Sequence, residues 1–243
     1  MKKKKLLLPI LLLAPAFLAS QVAADEQTAP ETNLEAAATS TNATDAATPA
    51  STEANTATSE GATESSADLP EANIIHTNDV HGRIVEEKGV IGDAKLAAVI
   101  DEERAKNPST LVVDAGDAFQ GLPISNSSKG EERAKILNEI GYDAMAVGNH
   151  EFDFGLDEAK KYKEILNFPL LSSNTYINGA RLFEASTIVD KDKNVVGDEF
   201  VVIGVTTPET ATKTHPKNVQ GVTFTDPISE VNKVIDEIEA RAT

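Results

Sequence analysis

The chain has 243 residues, with 39 Asp and Glu against 22 Lys and Arg, and no cysteine. Its net charge of −17 argues against a nucleic-acid partner, whose phosphates are bound through Lys and Arg. Neither a disulfide nor a thiolate metal site is available, and the length suffices for one large domain or two small ones.

The N-terminus reads as a targeting segment. Lys2 to Lys5 form a basic region, Leu6 to Ala19 an apolar stretch, and Val22-Ala23-Ala24 a small-residue cleavage site, so residues 1–24 are expected to be a secretory signal peptide. A retained membrane anchor fits less well, because this stretch is shorter than the roughly twenty residues a spanning helix needs and contains Pro9 and Pro15. The expected location is therefore secreted or cell-surface.

Residues 25–70 are rich in Ala, Thr and Ser, with nine carboxylates and no Lys or Arg. They offer almost no large apolar side chain whose burial could offset the entropy of ordering, and read as a disordered acidic spacer. With the four leader lysines removed the charge becomes −21, of which −9 lies in the spacer and −12 in residues 71–243, where 30 acids face 18 bases. A phosphate-bearing substrate would need a local positive charge, which bound metal ions would provide.

Residues 71–243 alternate strand-like and helix-like patterns, the signature of an α/β domain. After the first apolar run, Asp93 is placed to cap a helix whose Leu96, Val99 and Ile100 share a face and which stops near Asn107-Pro108. Thr110–Val113 reads as a buried strand, Glu131–Ile140 as a helix ended by Gly141, and Ala144–Val147 as the next strand. Leu156–Ile165 reads as a helix, Pro169–Ser173 as a strand, and Ile188-Val189 and Phe200–Val205 as further strands. Asp226-Pro227 opens a final amphipathic helix, with Ile228, Val231, Val234, Ile235 and Ile238 as its buried stripe.

Three of the apolar runs end in metal-ligand residues: Ile74 to Gly82 with Asp79 and His81, Leu111 to Asp117, and Ala144 to Glu151 with Asn149 and His150. In open α/β sheets ligands bind where loops leave the carboxyl ends of strands. Asp79 and His81 lie two apart, so in an extended stretch both side chains reach one ion. Gly82 follows and lets backbone approach. Asp117 has two oxygens with which to bridge two cations, and Asn149 offers an amide oxygen. Mixed His, carboxylate and carbonyl ligation suits Zn, Mn or Fe rather than calcium.

His150 has two readings. Asp153, three residues on, could orient it as a general acid or transition-state stabiliser, or it could be a further ligand. Taken singly each of these residues has a structural explanation; their joint occurrence points to metal-assisted hydrolysis. His76 reads as packing at a strand end, His215 as a loop residue far from the clusters, and Glu131-Glu132-Arg133 as a solvated helix start.

The segments His76–Gly82, Gly116-Asp117-Ala118-Phe119-Gln120-Gly121 and Gly148-Asn149-His150-Glu151-Phe152-Asp153 resemble the secreted 5'-nucleotidase family of the calcineurin-like metallophosphoesterase superfamily. Ser125-Asn126, Gly141 to Ala144 and Ser173-Asn174 agree with it too, and the likeness runs from Ala72 onward. The resemblance implies a sandwich of two β-sheets flanked by helices. It implies two divalent ions (Zn, Mn or similar), Asp79 and His81 on the first, Asp117 bridging, Asn149 on the second, and His150 with Asp153 as a catalytic dyad.

The implied function is hydrolysis of a small-molecule nucleotide, AMP to adenosine, at the cell surface. The alternatives are a 2',3'-cyclic nucleotide phosphodiesterase, a nucleotide-sugar hydrolase, or a non-catalytic surface protein. The family also has two later histidines in a Gly-His-x-His loop and a C-terminal domain with stacking aromatics for the nucleoside. Neither is found here, so the chain is expected to be an N-terminal portion, with substrate-binding residues and any wall attachment in the part that follows.

Overall fold

The computed structural model describes residues 10–13, 72–191, 193, 194 and 199–241. The chain divides into two units, and every described residue falls in the one formed by residues 1–17 and 68–243. The expected spacer lies outside the described residues, as does all of the expected signal peptide except Ile10–Leu13.

In chain order the elements are β1 (Ile10–Leu13), β2 (Asn73–Thr77), α1 (Asp93–Lys106), β3 (Thr110–Asp114), α2 (Pro123–Asn126), α3 (Glu131–Ile140), β4 (Ala144–Ala146), α4 (Leu156–Ile165), β5 (Leu170–Leu171), β6 (Thr175–Ile177), β7 (Ala180–Arg181), β8 (Ser186–Val189), β9 (Phe200–Gly204), α5 (Thr210–Lys213), β10 (Val222–Phe224) and α6 (Pro227–Arg241). Short 3-10 turns cover His150–Phe152 and Pro216–Val219.

Strands β2, β3, β4 and β5 form a parallel sheet in that order. Parallel neighbours need crossovers, and α1, α3 and α4 supply them. A second sheet has the order β1-β9-β8, with β1 parallel and β8 antiparallel to β9.

The two-residue period of a strand explains how these sheets stack. On β3, Val112 packs toward the helices with Ile100, Leu137, Met145 and Tyr162. Leu111 and Val113 point the other way, onto Phe200 and Val202 of β9. The opposite face of β9, Val201 and Ile203, meets Val234 of α6. The result is four layers: helices, parallel sheet, second sheet, helix. Each of these fully buried aliphatic side chains contributes about 1.5–3 kcal/mol.

Asn174, fully buried just beyond β5, ties the layers together. Its amide donates to the carbonyls of Thr206 and Thr225 (2.7 and 2.9 Å) and accepts from Thr206 N (2.8 Å). This accounts for the Ser173-Asn174 pair noted in the sequence.

Several expectations need correction. A third, antiparallel sheet of order β10-β6-β7 accompanies the two expected ones. Its β6–β7 hairpin turns on Asn178-Gly179, both with positive φ (51° and 80°), a strong hairpin signal that the sequence reading passed over. Gly92, not Asp93, is the N-cap of α1. Asp93 is buried and pairs with Arg133, so Glu131-Glu132-Arg133 is not a wholly solvated helix start: Arg133 is fully buried. Val99 and Ile228 are exposed rather than part of the buried stripes. His76 is exposed as well, because it shares with Ile74 the face of β2 that the second sheet does not cover.

Candidate metal centre

The β2–β3 ladder continues past the ends of its strands, and this continuation builds the site. Ala115 N donates to Thr77 O, Asp79 N to Gly116 O, His81 N to Asp117 O and Gly82 N to Ala118 O, at 2.8–3.0 Å. Asp79 and His81 are thereby held beside Asp117.

The backbone is not extended there, contrary to the expectation for Asp79 and His81. Asp79, His81 and Asp117 have φ of 52°, 51° and 61°, in the left-handed region that few non-glycine residues enter. Such conformations cost about 1–3 kcal/mol each and persist where the surroundings impose them. Asp and His are among the side chains that tolerate them best. The convergence inferred from a shared strand face is thus reached by a different backbone path.

Glycines make the close approach of the loops possible. A Cβ on Gly148 would lie 2.2 Å from Asp117 Oδ1, and one on Gly121 would lie 2.1 Å from His81 O. Gly82 serves packing rather than ligand access, since its Cβ would meet Ser125 Cβ at 2.6 Å.

One ligand atom from each of His81, Asp117 and His150 lies within 4.8 Å of the others. His81 and His150 meet edge to face, with ring centroids 4.9 Å apart. His81 Nδ1 is 3.0 Å from the carbonyl of Gln120. A carbonyl only accepts, so Nδ1 carries the proton and Nε2 presents its lone pair, the form a metal ligand needs. Asp79 Oδ1 lies 3.9 Å from that Nε2, at the exposed edge of the group. Asn149 follows Gly148 and opens the turn His150–Phe152, so the packing of Gly148 on Asp117 sets its place.

His150 Nδ1 lies 2.6 Å from Asp153 Oδ2, and its backbone N–H donates to Asp117 Oδ1 at 2.8 Å. Asp153 is held in turn by Thr214, whose hydroxyl donates to Oδ1 (2.7 Å), and by Asn218, whose amide donates to its carbonyl (2.9 Å). The segment carrying His215 therefore reaches the site, contrary to expectation. His215 itself is exposed and accepts from Lys217 N at 3.3 Å.

Behind these groups lie three buried carboxylates, Asp114, Asp117 and Glu151. Burial pushes all three pKa values up, that of Asp114 to about 7. Backbone N–H groups oppose the rise in each case. The charges that act most strongly on them are each other's, that of Asp79 and those of the two histidines. Clustered acids with oriented imidazole lone pairs suit divalent cations, whose charge would relieve the repulsion.

Sequence reasoning did not find Glu151, Thr214 or the Gln120 carbonyl. Glu151 lies within Gly148–Asp153, but its residue type alone does not separate it from a solvated acid. The other two act through hydrogen bonds between loops that no local pattern encodes.

Fold and site together define a four-layer α/β sandwich with a candidate metal centre at the carboxyl ends of parallel strands. The chain belongs to the calcineurin-like phosphoesterase family, which matches residues 72–241. Over 175 residues it is 42% identical to a 5'-nucleotidase of Vibrio cholerae, covering 69% of this chain and 31% of that protein. Over 184 residues it is 36% identical to a 5'-nucleotidase of Bos taurus, covering 70% and 32%. Among solved structures it is similar to the 5'-nucleotidase precursor of Thermus thermophilus, with a TM-score of 0.60 and 31% sequence identity over 71% of this chain and 35% of that one. The chain thus spans about a third of the length of the curated relatives it matches. No helix among the described residues is long and apolar enough to cross a membrane.

Proposed function

We propose that this chain contributes the metal-binding portion of a phosphohydrolase that removes phosphate from nucleoside 5'-monophosphates outside the cytoplasm. The observation that carries the reading is the convergence of His81, Asp117 and His150 within 4.8 Å, beside Asp79 and Asn149, at the ends of three adjacent parallel strands. Likeness to 5'-nucleotidases supports the substrate class, and the basic, apolar and small-residue order of residues 1–24 supports export.

Asp79 and His81 would hold one divalent ion, Asn149 the other, and Asp117 both, since a carboxylate has an oxygen for each. When bound, such ions supply Lewis-acid stabilisation of phosphoryl oxygens and a nucleophile at neutral pH. His150 keeps a proton on Nδ1 for Asp153, which leaves Nε2 to face the substrate and deliver a proton to the departing oxygen. Asp153 sets the ring's orientation and stabilises its cationic form.

The test is phosphate release from AMP, a 2',3'-cyclic nucleotide and UDP-glucose by the full-length protein, chelated and then reloaded with Mn2+ or Zn2+. AMP is expected to be the preferred substrate, and preference for either other compound would move the protein to a neighbouring specificity. Absence of metal-dependent release from all three would overturn the enzymatic reading.

A further inference from the structure

Glu151 has no solvent exposure and lies in the turn His150–Phe152, beside the site but apart from the ligand set. Its Oε2 accepts from Gly148 N (2.7 Å) and Asp117 N (2.8 Å), and its Oε1 accepts from Ala118 N (2.9 Å). Two of these N–H groups belong to the loop after β3 and one to the loop after β4. The extended β2–β3 ladder engages the carbonyls of Asp117 and Ala118 and not their amides, so these N–H groups, like that of Gly148, find their acceptor in Glu151 and would be left unsatisfied without it.

The return contact runs the other way, from His150 N to Asp117 Oδ1 at 2.8 Å. Each loop therefore offers a carboxylate to the amides of the other. Both oxygens of Glu151 accept hydrogen bonds, so the carboxyl is fully engaged by the two loops.

On the metal-centre reading above, we infer that Glu151 is a positioning residue that locks the two loops in register and so fixes the separation of Asp117 from Asn149 and His150. Asp117 has a left-handed backbone, and Gly148 is pressed on its side chain; neither geometry is favoured by the local chain alone. A three-bond clasp from a rigid turn holds both before any ion arrives.

The experiment is calorimetric titration of Mn2+ into chelated wild-type, Glu151→Gln and Glu151→Asp proteins, with thermal unfolding of each chelated form and steady-state kinetics at saturating Mn2+. Gln keeps the size but replaces one acceptor oxygen with a donor; Asp keeps both acceptor oxygens and shortens the reach. Wild type is expected to bind most tightly, E151D next and E151Q least, with E151Q weakened about 10–100-fold, as is usual for groups that orient metal ligands. At saturating Mn2+, E151Q should lower kcat while leaving KM within about twofold, because the substrate touches other groups.

If E151Q does not fold, E151D alone is expected to bind about tenfold more weakly than wild type. Variants that unfold at lower temperature yet bind Mn2+ as tightly as wild type would make Glu151 a purely structural residue and overturn the inference. Wild-type protein that binds no Mn2+ would overturn the functional reading, and the inference with it.

Discussion

Asp153 holds His150 from behind, with Oδ2 at 2.6 Å from Nδ1, while its other oxygen is occupied by Thr214. The carboxylate thus has little freedom to turn, and the imidazole inherits its orientation. Asp153→Asn preserves the shape but offers an amide that can present its N–H to Nδ1 and favour the wrong tautomer. It is expected to lower kcat by about a hundredfold or more with Mn2+ affinity unchanged. Steady-state kinetics beside a metal titration checks this; an equal loss of metal affinity would place His150 among the ligands.

Asp117→Ala is expected to abolish binding of a second ion, since it removes the carboxylate proposed to bridge the two. It also strips the acceptor from His150 N. Calorimetry should show at most one weak Mn2+ site per chain, and two retained sites would contradict the bridging role.

Gly148→Ala places a methyl group 2.2 Å from Asp117 Oδ1 and 2.7 Å from Asp117 N. Backbone on one side and a hydrogen-bonded carboxylate on the other leave nothing that can yield cheaply. Destabilisation of about 1–3 kcal/mol is expected, together with weaker metal binding. Chemical denaturation and Mn2+ titration measure the two effects separately.

How much of this is legible in the sequence differs between fold and site. Period and punctuation locate α3, α4 and β9, because Gly141 ends one helix, a buried apolar face defines the next, and β9 is apolar throughout. The short strands β6, β7 and β10 carry too few residues for periodicity, although Asn178-Gly179 marks their hairpin. At the site, Asp79, His81, Asp117, Asn149 and His150 all stand out as residue types with metal or acid chemistry. What no pattern discloses is the left-handed backbone that aims three of them, or the pairing of Arg133 with Asp93 across 40 positions. Such contacts depend on which helices become neighbours, a property of the packed chain and not of any window within it.

Arg133 offers a test of that packing. It is fully buried against Asp93, and two of its guanidinium nitrogens have no hydrogen-bond partner among the described residues. Asp93→Ala would leave the cation uncompensated and is expected to cost about 3–5 kcal/mol. Replacing both residues with apolar ones, Asp93→Ala with Arg133→Met, should cost less than that single change. Urea denaturation of the single and double variants decides the matter.

The metal-free protein should show an acid-side gain in stability. Asp114 has a folded pKa raised from 3.8 to about 7, so between those values the folded state keeps a proton that the unfolded chain has released. Stability therefore falls as pH rises from about 4 to 7 and then levels off, by roughly 4 kcal/mol at most from this group. Glu151 is shifted in the same direction. In Asp114→Asn the new amide can still meet Thr77 and Gly116, and the slope across this range should shrink without vanishing. Denaturation of chelated protein at several pH values measures it.

The tie from Asp153 to Thr214 and Asn218 spans more than sixty positions of sequence and makes the aim of the His150 imidazole depend on a segment outside the proposed ligand set. Changes scattered through residues 210–219 should consequently alter turnover while leaving ion uptake untouched. Sequence drift there becomes a way to tune speed without rebuilding the centre.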